Sequence, residues 1–217
     1  MNRSRKILAM LISRLPHKAL RAGAYRMLMG YSLARGASIG FGVVIAVDRF
    51  SCGPDVIIRR GTSFMGPISV TLGEGTFIGR WNRFECGDAA ADPRQAHMGY
   101  ARSFGTGRDC LINESHLFDI LGSISIGDGT WVAGFASQFL THGAGTMNRD
   151  IVIGEKSFLG TAVRFAPGSG VADRVIVGMG AVVTKRLPES DVIVGGLPAK
   201  VLRVRSEADV YSFERTW

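Results

Sequence analysis

Residues 153–184 read IGEKSFLGTAVRFAPGSGVADRVIVGMGAVVT, and every sixth residue from Ile153 is large and apolar: Ile153, Leu159, Phe165, Val171, Val177 and Val183. The residue after each one is small: Gly154, Gly160, Ala166, Ala172, Gly178 and Thr184. With about half of all positions apolar, six such hits in a row arise by chance roughly once in 60 trials, before the small followers are counted. A helix repeats every 3.6 residues and a strand every 2, so a period of six fits neither. It fits short strands joined by tight corners, each hexad forming one side of a coil. The large residue points inward and the small one lets the chain turn. Three sides make a triangular coil of 3 × 6 = 18 residues, and stacked coils bury one another's inward side chains. The expected fold is an all-β parallel β-helix of hexapeptide repeats.

Working outward, the same rule recurs at Ile126-Gly127 and Val132-Ala133, at Leu72-Gly73, Ile78-Gly79 and Phe84, and at Ile39-Gly40 and Ile45-Ala46. Ile58, Phe64 and Val70 continue it more weakly. The period breaks twice. Between Val132 and Ile153 the polar, glycine-rich stretch 141–150 reads as a loop thrown from a corner, giving an excursion at 140–150. The stretch 87–107, with Pro93, Gly99, Gly105 and Gly107, reads as a second excursion or a distorted coil. The domain plan is a helical lead-in at 1–35, the β-helix at 36–205 and a tail at 206–217.

The chain has 217 residues, 46% hydrophobic and 20% charged, enough for one domain with a sizeable core and unlike a disordered chain. Its net charge of +8 allows anionic partners. The basic residues are dispersed without a platform of stacking aromatics, so no nucleic-acid partner is expected. The 29 glycines suit the corners. Cys52, Cys86 and Cys110 form no CxxC pair and read as buried, reduced thiols. No run approaches the length of a membrane span, and the apolar run at Ile7 to Ile12 is too short for a secretory signal, so a cytoplasmic protein is expected.

In the lead-in, Ile7, Leu8, Leu11, Ile12 and Leu15 recur at helical spacing among Arg3, Arg5, Lys6 and Arg14. One or two amphipathic helices are expected, capping the exposed end of the β-helix. A basic helix lying on an anionic membrane surface, with peripheral contact at the inner face, is the second reading.

Three segments carry a resemblance: 153–160 (IGEKSFLG), 180–185 (GAVVTK) and 194–203 (VGGLPAKVLR). Asn113 to Arg205 resembles the hexapeptide-repeat acyltransferases, in the branch of maltose, galactoside and exopolysaccharide O-acetyltransferases. The resemblance implies a left-handed β-helix, a homotrimer with sites between subunits, acetyl-CoA as donor and a sugar or glycan acceptor; no metal is expected. It implies that His142 is the general base and that Asn113 holds the acceptor. His116 and Asp119, close to Asn113, are expected to bind acceptor or orient the base. Gly160, Thr161, Met179, Thr184 and Lys185 match donor-binding positions along the pantetheine arm, and Lys200 and Arg203 match basic positions near the nucleotide end. The chain departs from the family pattern at Phe158, where Trp is usual, at 168–173, and at Met179, which is larger than the usual Ala or Gly.

The chemistry is consistent with those residues. A sugar hydroxyl attacks poorly while it keeps its proton, so the transfer needs a base within hydrogen-bond reach. Neutral histidine serves near pH 7. N-acetylation of an amino sugar nucleotide and acetylation of a small antibiotic use the same base and donor. A metalloenzyme on this fold needs three histidines on one ion, and of His17, His97, His116 and His142 only the last two are expected near each other. A non-enzymatic scaffold has no use for His142 in a glycine-rich loop.

Overall fold

The computed structural model describes residues 3–144, 146–206 and 208–209. Apart from Ser206, Ala208 and Asp209, the expected tail at 206–217 lies outside the described residues. The hexads coil into a left-handed parallel β-helix with three faces. Ile153 pairs with Val171, Leu159 with Val177 and Phe165 with Val183, so one turn takes 18 residues as the period requires. All six of the defining apolar residues are buried, none more than 3% exposed. The first face is a nine-stranded sheet running from Ser38–Ile39 to Ala199–Val204. Its last two strands, Val192–Gly196 and Ala199–Val204, pair antiparallel and close that end as a hairpin. The second and third faces merge into one 13-stranded sheet, because Val44–Cys52 and Ser63–Leu72 run unbroken around the corner between them.

An aromatic ladder fills the second face. Phe64, Phe84, Phe118, Phe139 and Phe165 come from successive coils, with ring centroids 4.4, 4.5, 4.5 and 5.2 Å apart and interplanar angles of 13° or less. Parallel strands stack at about 4.8 Å, so identical inward rings at one register must lie nearly face to face. Phe104, from the third face, meets Phe84 and Phe118 edge-on.

A polar ladder answers the backbone at the corner between the first and second faces. Thr62 Oγ1 accepts from the Asn82 N–H at 3.2 Å, Asn82 Oδ1 from the His116 N–H at 2.9 Å, and His116 Nδ1 from the Ser137 N–H at 3.0 Å. Each inward side chain satisfies a corner N–H of the next coil, which would otherwise be buried unpaired. At the corner between the third and first faces, Thr130 Oγ1 accepts from Ser157 N–H and Ser157 Oγ from Val175 N–H, both at 3.0 Å.

His116 is thus a core residue, 1% exposed, and burial pushes its pKa down to about 4, with a weaker backbone contact to Val132 pulling the other way. An unfolded histidine protonates near 6.5. The unfolded chain therefore binds the extra proton as pH falls from 6.5 to 4, and the fold loses about 3 kcal/mol across that window. Above pH 6.5 the contribution is fully present. His116→Asn copies the Asn82 rung below it and should flatten this pH dependence. Urea titrations at pH 7.5 and 4.5 check it; an unchanged difference between the two pH values contradicts it.

Helices α1 (Arg3–Ser13) and α2 (Lys18–Met29) cover the first coil. Ala9, Ile12, Ala22, Tyr25 and Met29 face the core. The Tyr25 hydroxyl donates to Val43 O at 2.8 Å and accepts from Ile45 N–H at 3.1 Å, tying α2 to the coil edge. No described helix is long and apolar enough to cross a membrane. The departure at 168–173 has a steric cause: a Cβ on Gly170 would stand 2.1 Å from the Val152 carbonyl oxygen.

Candidate active site

Both breaks in the period leave the same corner, between the second and third faces. Phe84 lies on the second face and Phe104 on the third, so the first excursion spans 87–102. It carries two 3₁₀ turns, Asp88–Ala91 and Pro93–Met98. It ends earlier than the expected 107, because Ser103–Thr106 already pairs in the third face. The second excursion spans 141–150. One regular coil separates them, and Asp119 stands where that coil leaves the second face.

Four anchors hold His142. Thr141 is fully buried; its Oγ1 donates to Asp119 O at 2.6 Å and accepts from the N–H groups of Leu121 and Gly122. The Thr141 N–H also donates to Asp119 O, at 3.2 Å. The next N–H, of His142 itself, donates to Asp119 Oδ2 at 3.2 Å. The loop returns through Asp150, whose Oδ1 accepts from Ser123 N–H at 2.8 Å. The imidazole is exposed while its backbone is fixed. Burial raises the Asp119 carboxyl above its ordinary value; His142 pulls it down and Glu85 adds to the rise.

The excursions wall a cleft of about 240 Å³ beside His142. Asp119 and Leu121 form its floor, and Gly87, Gln95 and Tyr100 come from the first excursion. A second hollow of about 370 Å³ shares Gly87 and Asp119 and reaches Lys6 of α1. Lys6 bridges to Asp88 at 2.5 Å, joining α1 to the first excursion. Arg149 pins the two excursions together. It is 6% exposed, donates from Nη1 to Met98 O at 3.1 Å, and lies 4.9 Å from the centre of the Tyr100 ring. Gln95, Tyr100 and Arg149 escaped sequence reasoning. The signal available for them was that all three sit in the period breaks.

The other expected site residues divide between two corners and the terminal hairpin. Asn113 stands at the corner between the first and second faces, where its carbonyl accepts from Asn82 Nδ2 at 2.5 Å. Gly160, Thr161 and Met179 lie along that same corner; Gly180 N–H donates to Thr161 O at 2.9 Å, and Met179 is 81% exposed. Thr184 and Lys185 are exposed on the His142 corner. Lys200 and Arg203 project from the terminal hairpin, with Arg203 bonded to both Asp209 oxygens at 2.6 Å. A whole face separates Asn113, Thr161 and Met179 from His142. Within one chain His142 and Asp119 come together and Asn113 does not join them. His116 is turned inward with Nδ1 occupied, so it neither meets acceptor nor reaches His142. His97 is exposed on the first excursion and His17 caps α2.

The three cysteines are buried and free. Burial pushes the thiol of Cys86 up to about 11, with Asp119 adding to the rise, and that of Cys110 up to about 12. Both stay protonated at neutral pH and are poor nucleophiles.

No protein-family model matches the chain. Among curated proteins, it is 30% identical over 158 residues to a protein of Escherichia coli (strain K12) named as a colanic acid biosynthesis acetyltransferase, WcaF, covering 72% of this chain and 70% of that one. Among solved structures it resembles the polySia-specific acetyltransferase NeuO, with a TM-score of 0.57, 16% identity and coverage of 82% and 85% of the two chains. It also resembles LpxA from Acinetobacter baumannii, with a TM-score of 0.51, 15% identity and coverage of 79% and 67%. The two structures share the fold; the curated relative, matched over more than two thirds of its length, carries the kinship. Hexads that close into a left-handed coil, with a histidine loop at one corner, and this relative together place the chain in the hexapeptide-repeat acetyltransferase family, and it is an acyltransferase.

Proposed function

We propose that the protein transfers an acetyl group from acetyl-CoA to a hydroxyl of a sugar in a surface polysaccharide or related glycan, with His142 as the general base. The observation that carries this reading is the exposed His142, its backbone held by Asp119, at the mouth of a cleft walled by both excursions. The curated relative's name, a colanic acid biosynthesis acetyltransferase, supports a glycan acceptor.

In this mechanism His142 removes the hydroxyl proton as the oxygen attacks the thioester carbonyl. The tetrahedral oxyanion is held by backbone N–H donors. The carbon–sulfur bond then breaks and CoA leaves as the thiol, taking its proton from the same histidine. No acyl-enzyme is formed. Asp119 positions His142 through its N–H, and Gln95 and Tyr100 face the acceptor.

The division of site residues between two corners supports a homotrimer. The corner bearing Gly160, Thr161 and Met179 in one chain then faces the His142 corner of a neighbour, and the donor lies in the groove between them. Asn113 reaches the acceptor from that facing corner. Thr184, Lys185, Lys200 and Arg203 hold the rest of the donor, with the Lys185 and Lys200 ammonium groups offering charge for its phosphates. The protein acts in the cytoplasm, where acetyl-CoA is supplied. Exposed Ile7, Met10 and Leu11 on α1, flanked by Arg3 and Arg14, favour peripheral contact with the inner face of the membrane.

Thiol release from acetyl-CoA, measured against a panel of neutral glycans and amino sugar nucleotides, tests the reaction. Release with a glycan, giving a product whose acetyl group is lost in mild base, is expected. Release only with an amino sugar, giving a base-stable amide, assigns N-acetylation instead.

A further inference from the structure

One hollow lies against the first three coils, a whole face away from His142 within the chain. It measures about 520 Å³, within the range of pockets that hold small molecules. Five basic residues line it: Lys18 and Arg21 from α2, and Arg59, Arg60 and Arg80 from the first face and its corner. No acidic residue among the described residues lines it. Gathering cations in one concave place costs repulsion and raises the local positive potential, which draws anions.

Two of the five are held by other groups. Arg21 is buried, with Nε donating to Ile39 O at 2.9 Å and Nη1 to Leu15 O, so it builds the wall. Arg80 pairs with Glu114 through Nε at 2.6 Å and Nη2 at 3.0 Å. Arg59 lies 5.9 Å from the centre of the Phe77 ring, a contact that leaves its charge unneutralised. Lys18 and Arg60 are exposed and make no ion pair with any described residue. Lys18 is also the first residue of the 12-residue α2, so the positive end of that helix lies at the same edge. Uncommitted cations, a helix start and a concave floor thus converge on one place.

We propose that this groove, on the first coils below the Asn113 and Thr161 stretch of the same corner, is a second ligand site that binds a phosphate-bearing molecule. Its size and its several cations suit a diphosphate carrying a further group better than a lone phosphate. That chemistry comes either from a soluble nucleotide-like molecule or from a lipid headgroup. The site stands whether or not the protein transfers acetyl groups to a glycan.

The test compares the full chain with a Lys18→Ala/Arg60→Ala double variant. Neither side chain supports the core, so the thermal midpoint should not move; Arg60→Gln alone serves if the double variant fails to fold. In one arm, calorimetric titration with inorganic pyrophosphate reads the soluble source. In the other, co-sedimentation with phosphatidylglycerol vesicles, against phosphatidylcholine vesicles, reads the headgroup. Binding in at least one arm, weakened about tenfold or more by the substitutions, is expected, since charge-assisted hydrogen bonds are lost. Phosphate binding elsewhere, or membrane contact through α1, survives the substitutions and so does not count. No binding in either arm, or equal binding by wild type and variant in both, overturns the proposal.

Discussion

His142→Ala should lower kcat for acetyl transfer by on the order of 10²–10⁴-fold, the range for removing a positioned general base. That corresponds to about 3–5 kcal/mol of barrier. The fold should be untouched, because the loop is held by Thr141, by Asp150 and by the His142 backbone N–H, all of which alanine preserves. The thermal midpoint and the affinity for acetyl-CoA should therefore match wild type. His116 cannot take over, because it is buried, with Nδ1 committed to Ser137 and its pKa pushed down to about 4. Steady-state thiol release with the true acceptor reads the effect. A variant turning over near the wild-type rate removes His142 from the chemistry.

Phe118→Ala should destabilise the fold by about 3–5 kcal/mol, the usual cost of emptying a buried aromatic position. Phe118 is fully buried and sandwiched between Phe84 and Phe139, each 4.5 Å away and within 5° of parallel, with Phe104 against its edge at 5.2 Å. A cavity there has rings on both sides, and backbone hydrogen bonds between coils keep those rings from collapsing together. Phe118→Leu should cost distinctly less. Because Asp119 follows directly, the alanine variant should also loosen the His142 loop and lower kcat, while the leucine variant keeps most of it. Urea unfolding at one fixed protein concentration measures the stability, since any oligomer makes the midpoint concentration-dependent. A loss below about 1 kcal/mol would mean that the ladder is not what holds the second face.

The coil was legible because each hexad must supply one inward apolar residue, and chain chemistry repeats wherever geometry repeats. Ile153 to Val183 showed it without interruption. The ladder members Phe118 and Phe139 were not legible, because Val132 to Phe139 spans seven residues and the two excursions displace the register around them. His142 stood out through its place in a period break. Asp119, read beside His116 as an acceptor or orienting residue, does meet His142, but through the backbone N–H. The inward placement of His116 was not legible for a definite reason. Its inward direction depends on its sharing a register with Thr62, Asn82 and Ser137, and the first excursion hides that register. Arg149 and Tyr100 join two breaks 51 residues apart in the Arg149–Met98 bond, a pairing that no local pattern encodes. The donor positions were named one by one from resemblance. Their division between two corners emerges only once the coil is closed.

That division makes one measurement decisive for a catalytic centre assembled between chains. Chains carrying His142→Ala lack the base but keep the Thr161 corner. Chains carrying Thr161→Trp keep His142 but fill the proposed donor groove with an indole. Each parent should release little thiol from acetyl-CoA. Co-expressed mixed assemblies should regain release well above both parents, because some grooves then pair an intact His142 corner with an intact Thr161 corner from the next chain. Mixed assemblies no more active than their parents, with both chains folded and associated, would contradict a shared centre and return all the chemistry to a single chain.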